Sequence, residues 1–149
     1  MKFCCSILLF LGRLAISAIF LLAGIGKFLD YEGTSQYMLS KGLPFVPVFL
    51  VIAALVEILA ALALIVGFKT RWAAFLLFLF LIPTTYIFHD FWNLGEPESA
   101  LQFIMFMKNL AIGGGLLYIM GAGPGSLAAD RYCSSSDCCS SGYCSSEEA

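Results

Sequence analysis

The chain has 149 residues, of which 60% are hydrophobic and only 12% are charged, and its net charge is −2. A soluble domain carries about 25% charged residues, so the composition excludes an ordinary soluble protein. The slightly negative charge argues against nucleic acid as a partner. We therefore expect a multi-pass membrane protein whose main contact is the lipid bilayer.

Four long apolar segments predict four transmembrane helices, at residues 7–28, 46–68, 72–88 and 101–121. Each segment has roughly the 17–25 residues that a helix needs to cross the hydrocarbon core, and none alternates with the period of two of a membrane strand. The predicted fold class is all-α: a polytopic four-helix bundle, with residues 1–125 as the membrane domain.

The first segment carries cations inside its apolar run. Arg13, Ser17, Gly24 and Lys27 lie along one stripe of the predicted helix. An ionisable group within a span costs several kcal/mol unless it is paired or hydrated, so each one is a candidate functional residue.

The first outer loop predicts a short helix at the membrane interface. In the stretch EGTSQYMLSKGLP, Thr34 is placed to cap the helix and Gly42 to end it. Tyr37 and Lys41 suit a segment that lies at the interface.

The second segment contains Glu57 between Ala53 and Ala60, whose small side chains allow another helix to approach closely. Glu57 lies roughly 16 Å into the bilayer from the outer side. We expect it to neutralise Arg13, Lys108 or both, with a buried pair that only fixes helix register as the simpler interpretation.

The third segment ends in the stretch YIFHDFWN. His89, the only histidine, and Asp90 fall at the outer rim, and Trp92 belongs to the aromatic belt. Water solvation of an interfacial histidine is the simpler interpretation of His89.

In the fourth segment, Phe106 and Asn109 share a helix face.

After residue 125 the composition changes to a Cys/Ser-rich tail, residues 126–149, for which disorder is expected. Its cysteines form a weak candidate metal site, because adjacent cysteines fit the usual chelate spacing poorly. They are Cys133, Cys138, Cys139 and Cys144. The distribution of Lys and Arg between the loops predicts that both termini are cytoplasmic.

Taken in order, five stretches resemble the DoxX family of small four-helix membrane proteins. They are the stretch from GRLAISAIF to KGLP, the Glu57 span, GFKTR, FHDFWN and MKNLAIGGGLL, and they cover roughly residues 12–125. The resemblance implies a four-helix bundle in the bacterial inner membrane. It also implies a redox link, because the family name derives from a relative of a subunit of a thiosulfate:quinone oxidoreductase.

From this resemblance we expect a membrane subunit or accessory of a quinone- or thiol-linked redox system, with quinone as the cofactor and a soluble or membrane oxidoreductase as the partner. The chain would be at most the membrane subunit of such an enzyme. The candidate proton relay is Glu57, His89 and Asp90, and the candidate quinone-binding residues are Arg13, Lys27, Trp92, Phe106, Lys108 and Asn109. Two alternatives stay open: a membrane anchor or scaffold without catalysis, and a small-solute transporter that uses the charged residues as a polar path.

Overall fold

The computed structural model describes residues 2–125 and 127–130 of the chain. Within these residues it contains helices and no strand: α1 (Lys2–Leu29), α2 (Tyr31–Ser40), α3 (Val46–Val66), α4 (Thr70–Phe88), a 3-10 helix (Phe91–Asn93) and α5 (Glu98–Ala122). Four of them, α1, α3, α4 and α5, are long and apolar enough to cross a membrane. The predicted four-span all-α fold is confirmed. The four tail cysteines lie outside the described residues.

The four long helices run alternately up and down. We call the end with the start of α1, the α3–α4 turn and the end of α5 the terminal side, and the end with α2 and the α4–α5 connection the loop side. Along the bundle α1 packs mainly on α3, α3 on α4 and α4 on α5, while α1 meets α5 over a short stretch. The ring of helices is therefore closed most weakly between α1 and α5.

The apolar core fills the half of the bundle nearest the terminal side. Leu64, Leu77 and Leu116 are fully buried there, and Phe20 packs with them from α1. Because lipid is as apolar as these side chains, close van der Waals packing rather than release from water holds the spans together. The loop-side half is packed less tightly, which leaves room for a cavity.

Gly24 is the point of closest approach between α1 and α3. A methyl group at this position would lie 2.7 Å from Ile58 Cγ1 and 3.0 Å from the Ala54 carbonyl oxygen. Only glycine allows the two backbones to come this near. The contact fixes which turn of α1 lies opposite Glu57.

The short helix α2 covers the loop side of the bundle. Its N-cap is Asp30, which accepts a hydrogen bond from the Gly33 amide at 3.1 Å, so the prediction that Thr34 caps the helix is wrong. The carboxylate three residues upstream of Gly33 is the better acceptor, and it starts the helix one turn earlier. Gly42 follows the helix with a φ of 76°, as expected for its end.

Two contacts fasten α2 to the bundle. The Tyr37 hydroxyl donates to the Phe88 carbonyl oxygen at 3.0 Å, and Lys41 forms an ion pair with Asp90. Below them Met38 is buried against Leu50. The helix is thereby held over the ends of α3 and α4.

Residues 127–130, which we call the return segment, fold back onto the α3–α4 turn. The amides of Ala129 and Asp130 donate to the carbonyl oxygens of Val66 and Gly67 at 3.2 and 2.9 Å. The Asp130 carboxylate accepts from the amides of Lys69 and Thr70, and so caps α4. The packed part of the chain thus extends beyond residue 125, where the tail was predicted to begin.

Candidate functional site

A cavity of about 400 Å³ lies between the spanning helices on the loop side, beneath α2. Its volume is within the range of roughly 300–1,000 Å³ that is usual for small-molecule sites. Most of the wall is apolar, with a set of polar side chains that point into it. These are Lys27, Thr34, Tyr37, Glu57, Thr84, His89 and Asn109. This combination is typical of a ligand site.

The wall between α1 and α3 carries an ion pair. Lys27 Nζ lies 2.6 Å from Glu57 Oε2, and the Glu57 side chain is 7% exposed against 23% for Lys27. Lys27 follows Gly24 by about one helical turn, so the close approach at Gly24 brings its ammonium to the level of Glu57. The pair borders open space, and both groups can therefore reach a ligand.

His89 stands at the C-terminal end of α4, where the helix leaves the membrane. Its Nδ1 lies 2.8 Å from Gln102 Oε1 on α5. With the proton on Nδ1 the ring donates to this amide oxygen, and Nε2 is an acceptor toward a molecule in the cavity; with the Gln102 amide nitrogen turned to Nδ1, Nε2 carries the proton and donates.

Asn109 joins the two helices at the far wall. Its Nδ2 donates to Thr85 Oγ1 at 3.0 Å. The amide oxygen takes no part in this bond and remains available as an acceptor. Asn109 is thus both a link between α4 and α5 and a part of the lining.

The structure does not bring Arg13 and Glu57 together, so that predicted pairing is wrong. Arg13 lies near the terminal side, where Nη2 donates to the Leu127 carbonyl oxygen at 2.5 Å. It is only 1% exposed, and among the described residues its Nε and Nη1 have no hydrogen-bond partner. The contact at Gly24 sets the axial offset of α1 against α3, and this offset places Lys27, rather than Arg13, beside Glu57.

Lys108 is also absent from the cavity lining. It lies on an exposed face of α5, with Nζ 3.1 Å from Met105 Sδ. Because neighbouring helix positions differ by about 100°, a cavity-facing Asn109 turns Lys108 toward lipid. The expectation that Lys108 neutralises Glu57 is therefore wrong.

Three other predicted site residues cluster at the loop-side rim outside the cavity lining. The Asp90 carboxylate is paired with the Lys41 ammonium. Trp92 packs against Tyr86 and Phe106, with ring centroids 5.4 and 6.3 Å away. The cavity therefore contains Lys27, Glu57, His89 and Asn109 from the predicted set.

Sequence reasoning did not assign Thr34, Tyr37 and Thr84 to the site. Thr34 and Tyr37 reach the cavity because α2 folds over it, which no single-helix pattern predicts. Thr84 donates to the Phe80 carbonyl oxygen at 2.9 Å and still lines the space. Helical periodicity places Thr84 on the same face of α4 as Leu81 and Phe88, which also line the cavity, and this was the available signal for Thr84.

Among residues 2–125 and 127–130 no group of three or more His, Cys, Asp and Glu side chains could hold a metal ion. A metal site in the tail stays a prediction.

Comparison with known proteins gives one family and several relatives. Residues 8–90 match the family model described as DoxX. The chain is 34% identical over 125 residues to the inner membrane protein YphA of Escherichia coli strain K12, an alignment that covers 84% of this chain and 89% of the relative. It is 40% identical over 120 residues to the inner membrane protein YqjF of the same strain, covering 80% and 87%.

A more distant match is to a Surfeit locus protein 4 homolog of Schizosaccharomyces pombe. It is 29% identical over 83 residues, which are 54% of this chain and 28% of that protein. No solved structure is a significant match to the chain.

Proposed function

Because the chain is a multi-pass inner-membrane protein that belongs to the DoxX family, we propose that it is the membrane subunit of a redox system and that its cavity binds a quinone ring. The observation that carries the proposal is the Lys27–Glu57 ion pair in the cavity wall. An ion pair that served only to fix helix register would be enclosed by packed side chains, whereas this one borders space for a ligand.

The chemistry of the lining suits a quinone. A quinone offers two carbonyl oxygens, which accept hydrogen bonds, and an ammonium or imidazole can stabilise the negative charge that develops on them. Lys27 is such a group. His89 Nε2 donates only in the tautomer in which Nδ1 accepts a hydrogen bond from the Gln102 amide, so the His89–Gln102 contact sets the role of the ring. Reduction takes up two electrons and two protons, and Glu57 can receive and release protons beside Lys27. The electrons come from an oxidoreductase partner.

The shape of the bundle favours a binding site over a transport path. Phe20, Leu64 and Leu116 are buried between the cavity and the terminal side. A channel would need polar groups or water along this part of the axis.

We also propose that both termini face the cytoplasm. Lys69 lies in the turn on the terminal side and Arg71 in the first turn of α4, and the acids Asp90, Glu96 and Glu98 lie on the loop side. Positively charged loops are retained in the cytoplasm. A C-terminal fluorescent fusion should be bright and a phosphatase fusion inactive; the reverse pattern would refute this orientation.

The test of the cavity is binding of duroquinone to the purified protein in detergent. This quinone has a fully substituted ring, so it cannot add to the six cysteines of the chain. Lys27→Gln/Glu57→Gln removes the ion pair without leaving an unpaired charge, and His89→Gln removes the imidazole. Each should weaken binding by about tenfold, as the loss of one hydrogen bond to the ring implies.

The matched control is Lys108→Gln, the same replacement at an exposed lysine outside the cavity, which should bind as the wild type does. Circular dichroism and melting temperature establish that every variant is folded at the temperature of the assay. Absence of binding to the folded wild type, or equal binding by all variants, would overturn the proposal. Recovery of an oxidoreductase with the tagged protein tests the partner independently.

A further inference from the structure

A second depression runs along the outside of the bundle, between α4 and α5. It has a volume of about 610 Å³ and is lined mainly by apolar side chains, among them Phe78, Ile82, Leu110 and Leu117. Gly114 lies in it and has open space where a side chain would stand. We call it the α4–α5 groove. In a membrane it faces lipid.

The groove and the polar cavity meet at the same residues. Asn109 and Leu81 line both of them, the cavity from inside the bundle and the groove from outside. The Asn109–Thr85 hydrogen bond spans the junction between the two helices. One side-chain layer therefore separates a polar site of about 400 Å³ from an apolar groove.

We propose that the ligand is a quinone with a long apolar tail, and that the tail leaves the cavity past Asn109 and lies in the α4–α5 groove. This inference rests on the proposed function, because the tail belongs to the same quinone whose ring is placed in the cavity. The occupant follows from polarity: the cavity offers charged and polar groups to a ring, and the groove offers hydrocarbon.

The two polar side chains at the junction do not require a polar ligand. Thr85 Oγ1 accepts a hydrogen bond from Asn109 Nδ2, so this donor and this acceptor are paired across the helix interface. Rotation of the Asn109 side chain would break this hydrogen bond and open the junction, and the polar cavity offers the amide other partners. Asn109 therefore stands at the junction through which the tail leaves the cavity.

The experiment compares two probes with fully substituted rings: duroquinone, which has no tail, and decylubiquinone, which has a decyl tail. Gly114→Leu places a side chain in the groove without touching the described lining of the cavity. Gly121→Leu is the matched control, because Gly121 is an exposed glycine of α5 with open space around it and lies outside the groove lining. Both replacements raise helix propensity alike.

Gly114→Leu should weaken decylubiquinone binding by about tenfold and leave duroquinone binding unchanged, as expected when one additional contact is blocked. Gly121→Leu should change neither. Equal binding of decylubiquinone by wild type and Gly114→Leu would overturn the tail site while leaving the ring site intact. Loss of binding of both probes by Gly114→Leu would also overturn it, because the replacement would then have disturbed the ring site and not blocked a separate tail site. Failure of wild type to bind duroquinone and decylubiquinone alike would overturn the proposed function itself.

Discussion

Removing the charge of Lys27 should destabilise the bundle more than removing the charge of Glu57. The two groups are 2.6 Å apart, but the carboxylate is 7% exposed and the lysine side chain 23%. Without Lys27, a carboxylate is left in a low-dielectric site with no counterion. Without Glu57, the ammonium remains on a long flexible stem near the loop side and can turn toward the lipid headgroups.

The magnitude follows from this asymmetry. Removal of one partner of a buried pair costs about 3–5 kcal/mol, and replacement of both is close to neutral. We expect Lys27→Met to lower the free energy of unfolding by about 3 kcal/mol, at the low end of that range because Lys27 is partly exposed. Glu57→Gln should cost about 1 kcal/mol, since the ammonium escapes to the interface. Lys27→Met/Glu57→Gln should recover most of the loss.

The assay is equilibrium unfolding in mixed micelles with increasing sodium dodecyl sulfate, followed by tryptophan fluorescence and circular dichroism. Lys108→Met, on an exposed face of the same bundle, serves as the control and should change the free energy by less than about 0.5 kcal/mol. The reasoning would be refuted by an equal or larger loss in Glu57→Gln, or by a double variant in which the two single losses add.

Three further predictions concern contacts that hold the bundle together. Partial burial raises the pKa of Asp130, but hydrogen bonds from the amides of Thr70 and Lys69 lower it by more. The pKa of Asp130 therefore lies below its ordinary value. Asp130→Asn should therefore lower the melting temperature above about pH 4, because the amide can accept only one of the two hydrogen bonds that the carboxylate receives, a loss of roughly 1 kcal/mol in the free energy of unfolding. The difference should shrink as pH falls through the folded pKa; an effect that is constant with pH would contradict this. Gly24→Leu should destabilise by about 3 kcal/mol or prevent folding, because Ile58 occupies the space, while Gly12→Leu should be tolerated; equal melting temperatures would contradict the close approach. Lys41→Gln should change stability by less than about 1 kcal/mol, as for a partly exposed pair, yet increase protease cleavage in α2; unchanged cleavage would show that the ion pair does not fasten α2.

Much of the fold could be predicted because it follows from hydropathy alone. The spans were placed within a few residues, since a run of apolar side chains and its flanking turn residues report directly on membrane crossing. Helical periodicity also assigned Glu57 and Asn109 to inward faces correctly. These properties belong to single helices and need no knowledge of their neighbours.

The partner of Glu57 could not be predicted in the same way. Periodicity gives the face of a helix but not its axial offset from the next one, and that offset is set by the contact of Gly24 with Ala54 and Ile58. The sequence predicts Arg13 or Lys108 as the partner of Glu57, because depth along a single helix does not show that Lys27 comes to the level of Glu57.

The return segment was missed because its contacts are backbone hydrogen bonds to a distant turn. One signal was present. Lys69, which occupies the N-cap of α4, has a side chain without any acceptor for the first amides of the helix. A helix start without an acceptor of its own requires one from elsewhere, and Asp130 is the nearest acid after the bundle.

The pairing of Lys27 with Glu57 has a consequence for how the protein is made. Synthesis proceeds from the N-terminus, so α1 reaches the bilayer before α3 exists. Lys27 lies two residues before the end of α1 at Leu29 and can keep its ammonium in the headgroup region until α3 inserts. Glu57 lies in the middle of α3, where its side chain cannot reach the headgroups, but Lys27 is already in the membrane when α3 inserts. The order of the two charges along the chain thus spares the inserting protein an unpaired carboxylate in the hydrocarbon.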